Sequence, residues 1–157
     1  MLLNLSLGVA IMALCLGLQI ALLTRALMYY ALRARQLDNA SFLTTMGVMS
    51  GVMLLLVFGN LAQVALWALL FQLLGEFEKY ATAFYFSAVN FATLGYGDIV
   101  MSERWRLLGP LQAMNGVLMI GVSTAAFMNT LRDAVKHSAQ GRSAHEAGTI
   151  ARIVDSA

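Results

Sequence analysis

The sequence predicts an all-α membrane protein: three membrane-spanning helices, plus a short re-entrant helix that returns through a glycine-containing loop. Three observations predict it. Of the 157 residues, 60% are hydrophobic and only 11% charged, whereas a soluble domain is nearer half apolar and a quarter charged. Three apolar runs are each long enough to cross a bilayer. A fourth, of about thirteen residues, is too short to span and leads directly into Thr93-Leu94-Gly95-Tyr96-Gly97-Asp98.

The first predicted span is Leu2 to Thr24. Met1 to Leu7 carry no lysine or arginine, and the run exceeds the h-region of a signal peptide, so it reads as a retained helix. A basic linker follows, with Arg25, Arg33 and Arg35 against Asp38. Phe42 to Leu74 is the second span. Its Gly47 and Gly51 have the small-xxx-small spacing of a helix contact face, and Asn60 and Gln63 are expected to hydrogen-bond between helices. Gly75 to Lys79 is a polar break. Tyr80 to Ala92 covers only about 20 Å as a helix and fits a half-helix. Irregular backbone at membrane depth survives only when protein buries it or it lines a wet cavity. Ile99 to Arg106 is a polar return. Leu107 to Leu131 is the third span, with Pro110 near its start, where a helix tolerates proline. Val135 to Ala157 is polar and expected to be weakly ordered, with a short helix around Ile150 to Val154. No internal repeat is visible. The chain therefore divides into 1–41 (first helix and basic linker), 42–132 (the membrane module with the glycine loop) and 133–157 (a polar tail).

Lysine and arginine collect on the cytoplasmic side of membrane proteins. Arg25, Arg33 and Arg35 mark one such segment, and Arg132, Lys136, Arg142 and Arg152 another. Lys79, Arg104 and Arg106 between them are diluted by Glu76, Glu78, Asp98 and Glu103. This predicts an outside N-terminus, an outside glycine loop and a cytoplasmic C-terminus, in a plasma membrane or a bacterial inner membrane.

The glycine loop has a definite geometric capacity. In an extended strand, successive carbonyls point to opposite sides. Aiming a run of them at one axis needs left-handed dihedrals at alternate residues, which glycine adopts cheaply. Gly95 and Gly97 alternate with Leu94 and Tyr96. Such a carbonyl row can replace the water around a dehydrated cation. A Gly-x-Gly triplet alone is as readily a surface turn; the apolar flanks here favour a pore lining.

Three stretches carry a family resemblance: Ala83-Phe84-Tyr85-Phe86-Ser87, then Ala92-Thr93-Leu94-Gly95-Tyr96-Gly97-Asp98-Ile99, then Gly116 and Gly121 in the last span. On these residues, Phe42 to Arg132 resembles the pore module of two-transmembrane potassium channels, with one extra helix in front. The resemblance implies an outer helix, pore helix, selectivity filter and inner helix, assembled as a homotetramer around a central axis. One strand offers one carbonyl per level, far short of a cation's hydration shell, so several copies must converge. The carbonyls of Thr93, Leu94, Gly95 and Tyr96 would coordinate potassium, the permeant ion, with no cofactor. The Thr93 hydroxyl would form the innermost site, and Gly97 would permit the dihedrals. The Tyr96 ring would pack outward against the pore helix, and Asp98 would bond behind the filter to Tyr85. The pore helix would aim the negative end of its dipole, about half a charge, at the ion. Ala92 stands where the family commonly has a second threonine, Leu94 replaces its usual valine, and Phe86 a common tryptophan that could donate to Tyr96. The implied function is passive, potassium-selective conduction. The alternatives are a less selective cation channel and a non-conducting partner subunit of a larger channel.

In the last span, Asn115, Met119, Val122, Ala126 and Thr130 share one helical face and form the expected pore lining. Asn115 there either contacts hydrated ions or bonds between helices. Gly116 and Gly121 are candidates for a hinge or for close packing. Phe127 or Met128 could narrow the pore as a constriction that sheds water. Trp67 and Trp105 suggest an outer aromatic belt, Tyr29 and Tyr30 an inner one. Cys15, the single cysteine, reads as a small buried hydrophobe. His137 and His145 match no ligand spacing and read as solvated tail residues. The arginines lack the every-third spacing of a voltage sensor, so weak voltage dependence is expected. A net charge of +2 gives no reason to expect nucleic acid, and no nucleophile–base pair points to an enzyme. The expected partners are membrane lipids and further copies of the chain.

Overall fold

Helices in a bilayer satisfy their backbone internally, and any polar side chain they bury must find its partner on a neighbouring helix. The computed structural model describes the backbone of residues 1–34 and 42–155 and the side chains of 1–33 and 43–136. Arg35 and Asp38, and the side chains of His137, Arg142, His145 and Arg152, lie outside the described residues. Four helices follow one another: α1 (Leu2–Ala34), α2 (Phe42–Leu73), α3 (Tyr80–Phe91) and α4 (Leu108–Asp155). No strand occurs among the described residues. Leu2–Arg33, Leu43–Leu73 and Leu108–Lys136 are long and apolar enough to cross a membrane; α3 is too short.

Two helices run further than the sequence suggests. α1 continues past Thr24 to Ala34, so Arg25 and Arg33 stand on the helix and not in a linker. No glycine or proline falls in that stretch, and alanine, leucine, methionine and arginine are good helix formers. α4 continues through the tail to Asp155, where weak order was expected. Alanines at 134, 139, 144, 147 and 151 favour the helix enough to carry it through Gly141 and Gly148.

α1 packs on both α2 and α4, and α2 also packs on α3. Near α3 the core comprises Cys15, Trp67, Ala68, Phe71, Phe77, Ala83, Trp105 and Leu108. At the other end it comprises Ala26, Tyr30, Val48, Met49, Val52, Leu56 and Ala134. Three of the four residues expected in aromatic belts, Trp67, Trp105 and Tyr30, are buried, and Tyr29 is exposed. The buried rings lie in the core, and on α2 Trp67 meets Phe71 in a tilted contact at 5.7 Å between centroids.

Midway between the two cores, a buried polar chain joins three helices. Gln63 Nε2 on α2 donates to Gln19 Oε1 on α1 at 2.7 Å. Gln19 Nε2 in turn donates to Ser123 Oγ on α4 at 2.8 Å, and Ser123 Oγ donates to the Met119 carbonyl at 2.9 Å. Gln63 thus bonds between helices, and the Asn60 side-chain Oδ1 lies 3.4 Å from Ser123 Oγ. Of the Gly47/Gly51 pair, Gly51 is covered by the Tyr29 ring of α1, while Gly47 faces open space.

Glycines also decide how α4 meets α3. A Cβ at Gly116 would run into the Phe91 carbonyl oxygen at the end of α3, whereas Gly121 has nothing within 4 Å. Of the two readings, hinge or close packing, Gly116 takes the packing one. Gly116→Ala should force the helices apart and cost about 1–3 kcal/mol, lowering the melting temperature of the detergent-solubilised protein. Gly121→Ala, which gains about 1 kcal/mol of helix propensity, should melt at or above the unsubstituted protein. Equal melting of the two variants would refute the packing role.

Candidate ion-conducting site

α3 is fixed against two other helices by their side chains and backbone. Ala83, Ser87 and Phe91, four residues apart, form its buried face. Ser87 Oγ donates to the Val64 carbonyl of α2 at 2.7 Å. Gln112 of α4 donates its Nε2 to the Ser87 carbonyl at 3.1 Å and lies 2.5 Å from Ser87 Oγ. Its Oε1 accepts from Asn90 Nδ2 at 3.3 Å. Phe86 on the other side packs edge-on against Phe71.

A second set of bonds ties the loops around α3. The Glu76 carboxylate accepts from Ser102 N at 2.7 Å and from Ser102 Oγ at 2.5 Å. Asn4 Nδ2, near the start of α1, donates to the Arg104 carbonyl at 2.6 Å. The start of α1, the α2–α3 turn and the return loop thus gather at one end of the chain.

α2 and α3 end in the same hydrogen-bond pattern but with different residues. After α2, Gly75 N donates to the Gln72 carbonyl at 3.0 Å and Glu76 N to that of Phe71 at 3.1 Å. Gly75 takes φ +77, the usual glycine choice for this closure. After α3, Thr93 N donates to the Asn90 carbonyl at 2.9 Å and Leu94 N to that of Val89 at 2.9 Å. Here the left-handed residue is Thr93, at φ +60. A β-branched residue at positive φ is an outlier and costs about 1–3 kcal/mol. Gly95 at φ +56 and Gly97 at φ +75 continue the alternation. The left-handed positions are therefore 93, 95 and 97. Residue type marks the two glycines; nothing in a threonine marks the third.

Behind this loop, Tyr85 Oη donates to Asp98 Oδ2 at 2.8 Å. Accepting that bond, the carboxylate pushes the tyrosine pKa upward, so the hydroxyl keeps its proton. Leu94 and Tyr96 are open, Tyr96 at 65% exposure. Within one chain the Tyr96 ring is exposed and lies beside α3. It borders an open groove of about 350 Å³ shared with Tyr85, Phe86 and Asn90.

On α4 the expected pore face is turned. Asn115, Met119 and Thr130 are buried inside the chain, Ala126 and Phe127 are half-buried, and Val122 is open. Thr130 donates its hydroxyl to the Ala126 carbonyl at 2.9 Å. Asn115 of α4 and Trp67 of α2 both approach Cys15 on α1, though neither the Asn115 amide nor the Trp67 indole completes a well-aligned hydrogen bond. The reason is geometric: a helical wheel says which residues share a face, not which neighbour that face meets. The face left open runs through Met114, Leu118, Gly121, Ala125 and Met128, at alternating four- and three-residue steps.

Three membrane-length helices, two of them packed on a short fourth, define a helical integral membrane protein. Over residues 54–133, from the middle of α2 through α3 and the glycine loop into α4, the chain matches the ion channel family, and it belongs to that family. No curated protein and no solved structure matches it.

The strain at Thr93 yields a test. Thr93→Gly removes a left-handed β-branched residue whose conformation costs about 1–2 kcal/mol, so the melting temperature should rise. The same change deletes a hydroxyl and a side chain from the loop, so ion flux in liposomes should fall. A lower melting temperature would show that Thr93 is not strained.

Proposed function

We propose that the chain is a subunit of a potassium-selective channel, with Thr93, Leu94, Gly95 and Tyr96 coordinating the ion through their carbonyls. The observation that carries this reading is the left-handed backbone at 93, 95 and 97. Alternating handedness turns successive carbonyls toward one side, where they replace a cation's hydration shell. Tyr85 and Asp98 brace the loop from behind.

One loop gives one carbonyl per level, so the conducting form is a homotetramer with its loops facing a shared axis. The open faces of Leu94 and Tyr96 and the apolar open face of α4 suit contact with other copies and with the conduction path. In that assembly Leu118, Gly121, Ala125 and Met128 replace the buried Asn115, Met119 and Thr130 as pore-lining residues, and Gly121 is the remaining flexible point. Arg25 and Arg33 on α1 and Arg132 and Lys136 on α4 lie toward the ends remote from the loop, which by the positive-inside rule is the cytoplasmic side.

Potassium flux into liposomes, compared with sodium, tests the reading. Gly95→Ala places a Cβ at φ +56, costing about 1–2 kcal/mol per chain, and should abolish selective potassium flux. Unchanged selectivity in that variant would defeat the proposal. Orientation is checked separately: an impermeant maleimide applied outside cells should label Leu2→Cys and spare Lys136→Cys. The reverse pattern would invert the topology.

A further inference from the structure

Arg25 interrupts the apolar surface of α1. From Leu2 to Ala34 the helix carries only one other charge, Arg33. Asn4 bonds to the return loop beside α3, which places one end of α1 at that membrane face. From Asn4 to Arg25 the helix rises about 31 Å, close to the hydrocarbon thickness of a bilayer. Arg25 thus reaches the opposite boundary, where phospholipid phosphates lie.

The surface beside it is shaped for a chain. Arg25 and Tyr29, one turn apart on α1, border a groove of about 370 Å³ whose other wall is Gly51, Leu54, Leu55 and Phe58 of α2. Gly51 forms part of that wall because it lacks a side chain; a Cβ there would come within 2.9 Å of the Tyr29 hydroxyl and ring. Leu54 is 56% exposed and Phe58 65%, each presenting apolar surface along the groove. Among the described residues, no acidic side chain lines the groove.

We propose that this groove is a binding site for an anionic phospholipid. Its phosphate is held by the Arg25 guanidinium and the Tyr29 hydroxyl, and one acyl chain lies along Leu54 and Phe58. Charge complementarity selects the headgroup: a guanidinium at the boundary attracts an anion, and a planar donor fork suits phosphate oxygens. The apolar wall of α2 selects a lipid over a free anion. The site joins α1, which lies outside the family match at 54–133, to α2, which begins the module. Lipid in the groove would therefore couple the extra helix to the rest of the protein.

Native mass spectrometry tests this. The protein is purified from 1:1 vesicles of phosphatidylglycerol and phosphatidylcholine, and the lipids retained after detergent exchange are counted. The unsubstituted protein should retain phosphatidylglycerol preferentially. Arg25→Gln should reduce that preference about fivefold, and Phe58→Ala should reduce retention of both lipids. Arg132→Gln, outside the groove, should leave retention unchanged, and size-exclusion profiles of all variants report folding. Equal headgroup retention by the unsubstituted protein, or full preference in folded Arg25→Gln, would overturn the proposal. Spontaneous disulfide-linked dimers of Phe58→Cys would overturn it by placing a second copy over the groove. None of these readouts depends on potassium conduction.

Discussion

The constraint on which the rest depends is the absence of water at membrane depth. An interrupted helix there exposes carbonyls and amides that lipid cannot satisfy. In the proposed channel α3 and its loop are such an interruption, and the chain meets the cost with its own side chains. Gln112 of α4 reaches Ser87 and Asn90, and Ser87 reaches the Val64 carbonyl of α2. These bonds cross three helices at one level and set the depth of α3. The position of the glycine loop follows, because the last carbonyls of α3 are closed by the amides of Thr93 and Leu94.

That closure joins local strain to function. Gly75 and Thr93 occupy equivalent positions after their helices, yet only Gly75 is the residue type such a turn favours. The conformational cost at Thr93 is sustained by the surroundings: the strap through Gln112, the Tyr85–Asp98 bond, and the packing of Gly116 against Phe91. Strain of this kind tends to cluster where backbone geometry itself is the working part, and here it falls at the first of the residues that the proposed function assigns to the ion.

α1 is part of the same construction. It turns Asn4, Cys15 and Gln19 inward, to the return loop, to Asn115 with Trp67, and to Gln63 with Ser123. An apolar helix needs no such contacts to sit in lipid, since lipid tails are as apolar as leucine. Its polar residues are what direct it against α2 and α4, close packing at Gly51 and Gly59 brings the helices together, and Arg25 is left at the far boundary.

Composition and run length alone determined the class of this protein, the number of its spans and the place of the half-helix. Water exclusion acts on every residue, so it is written in the amino-acid types themselves. The expected limits of the second span and of Tyr80 to Ala92 lie within a residue of α2 and α3, since Gly75 and the glycine loop are strong stops. The interhelical partnership of Gln63 was likewise legible, as an amide in a bilayer has few alternatives. Only the tertiary structure decided which way α4 faces. Asn115 and Met119 share a stripe in any helix, but the Gly116–Phe91 contact rotates that stripe into the chain. Tertiary structure also decided that Trp67 and Trp105 are core residues, that α1 touches α4, and that Thr93 is left-handed. Each of these depends on residues far apart in sequence meeting in space, and no local preference of the residues involved encodes that meeting.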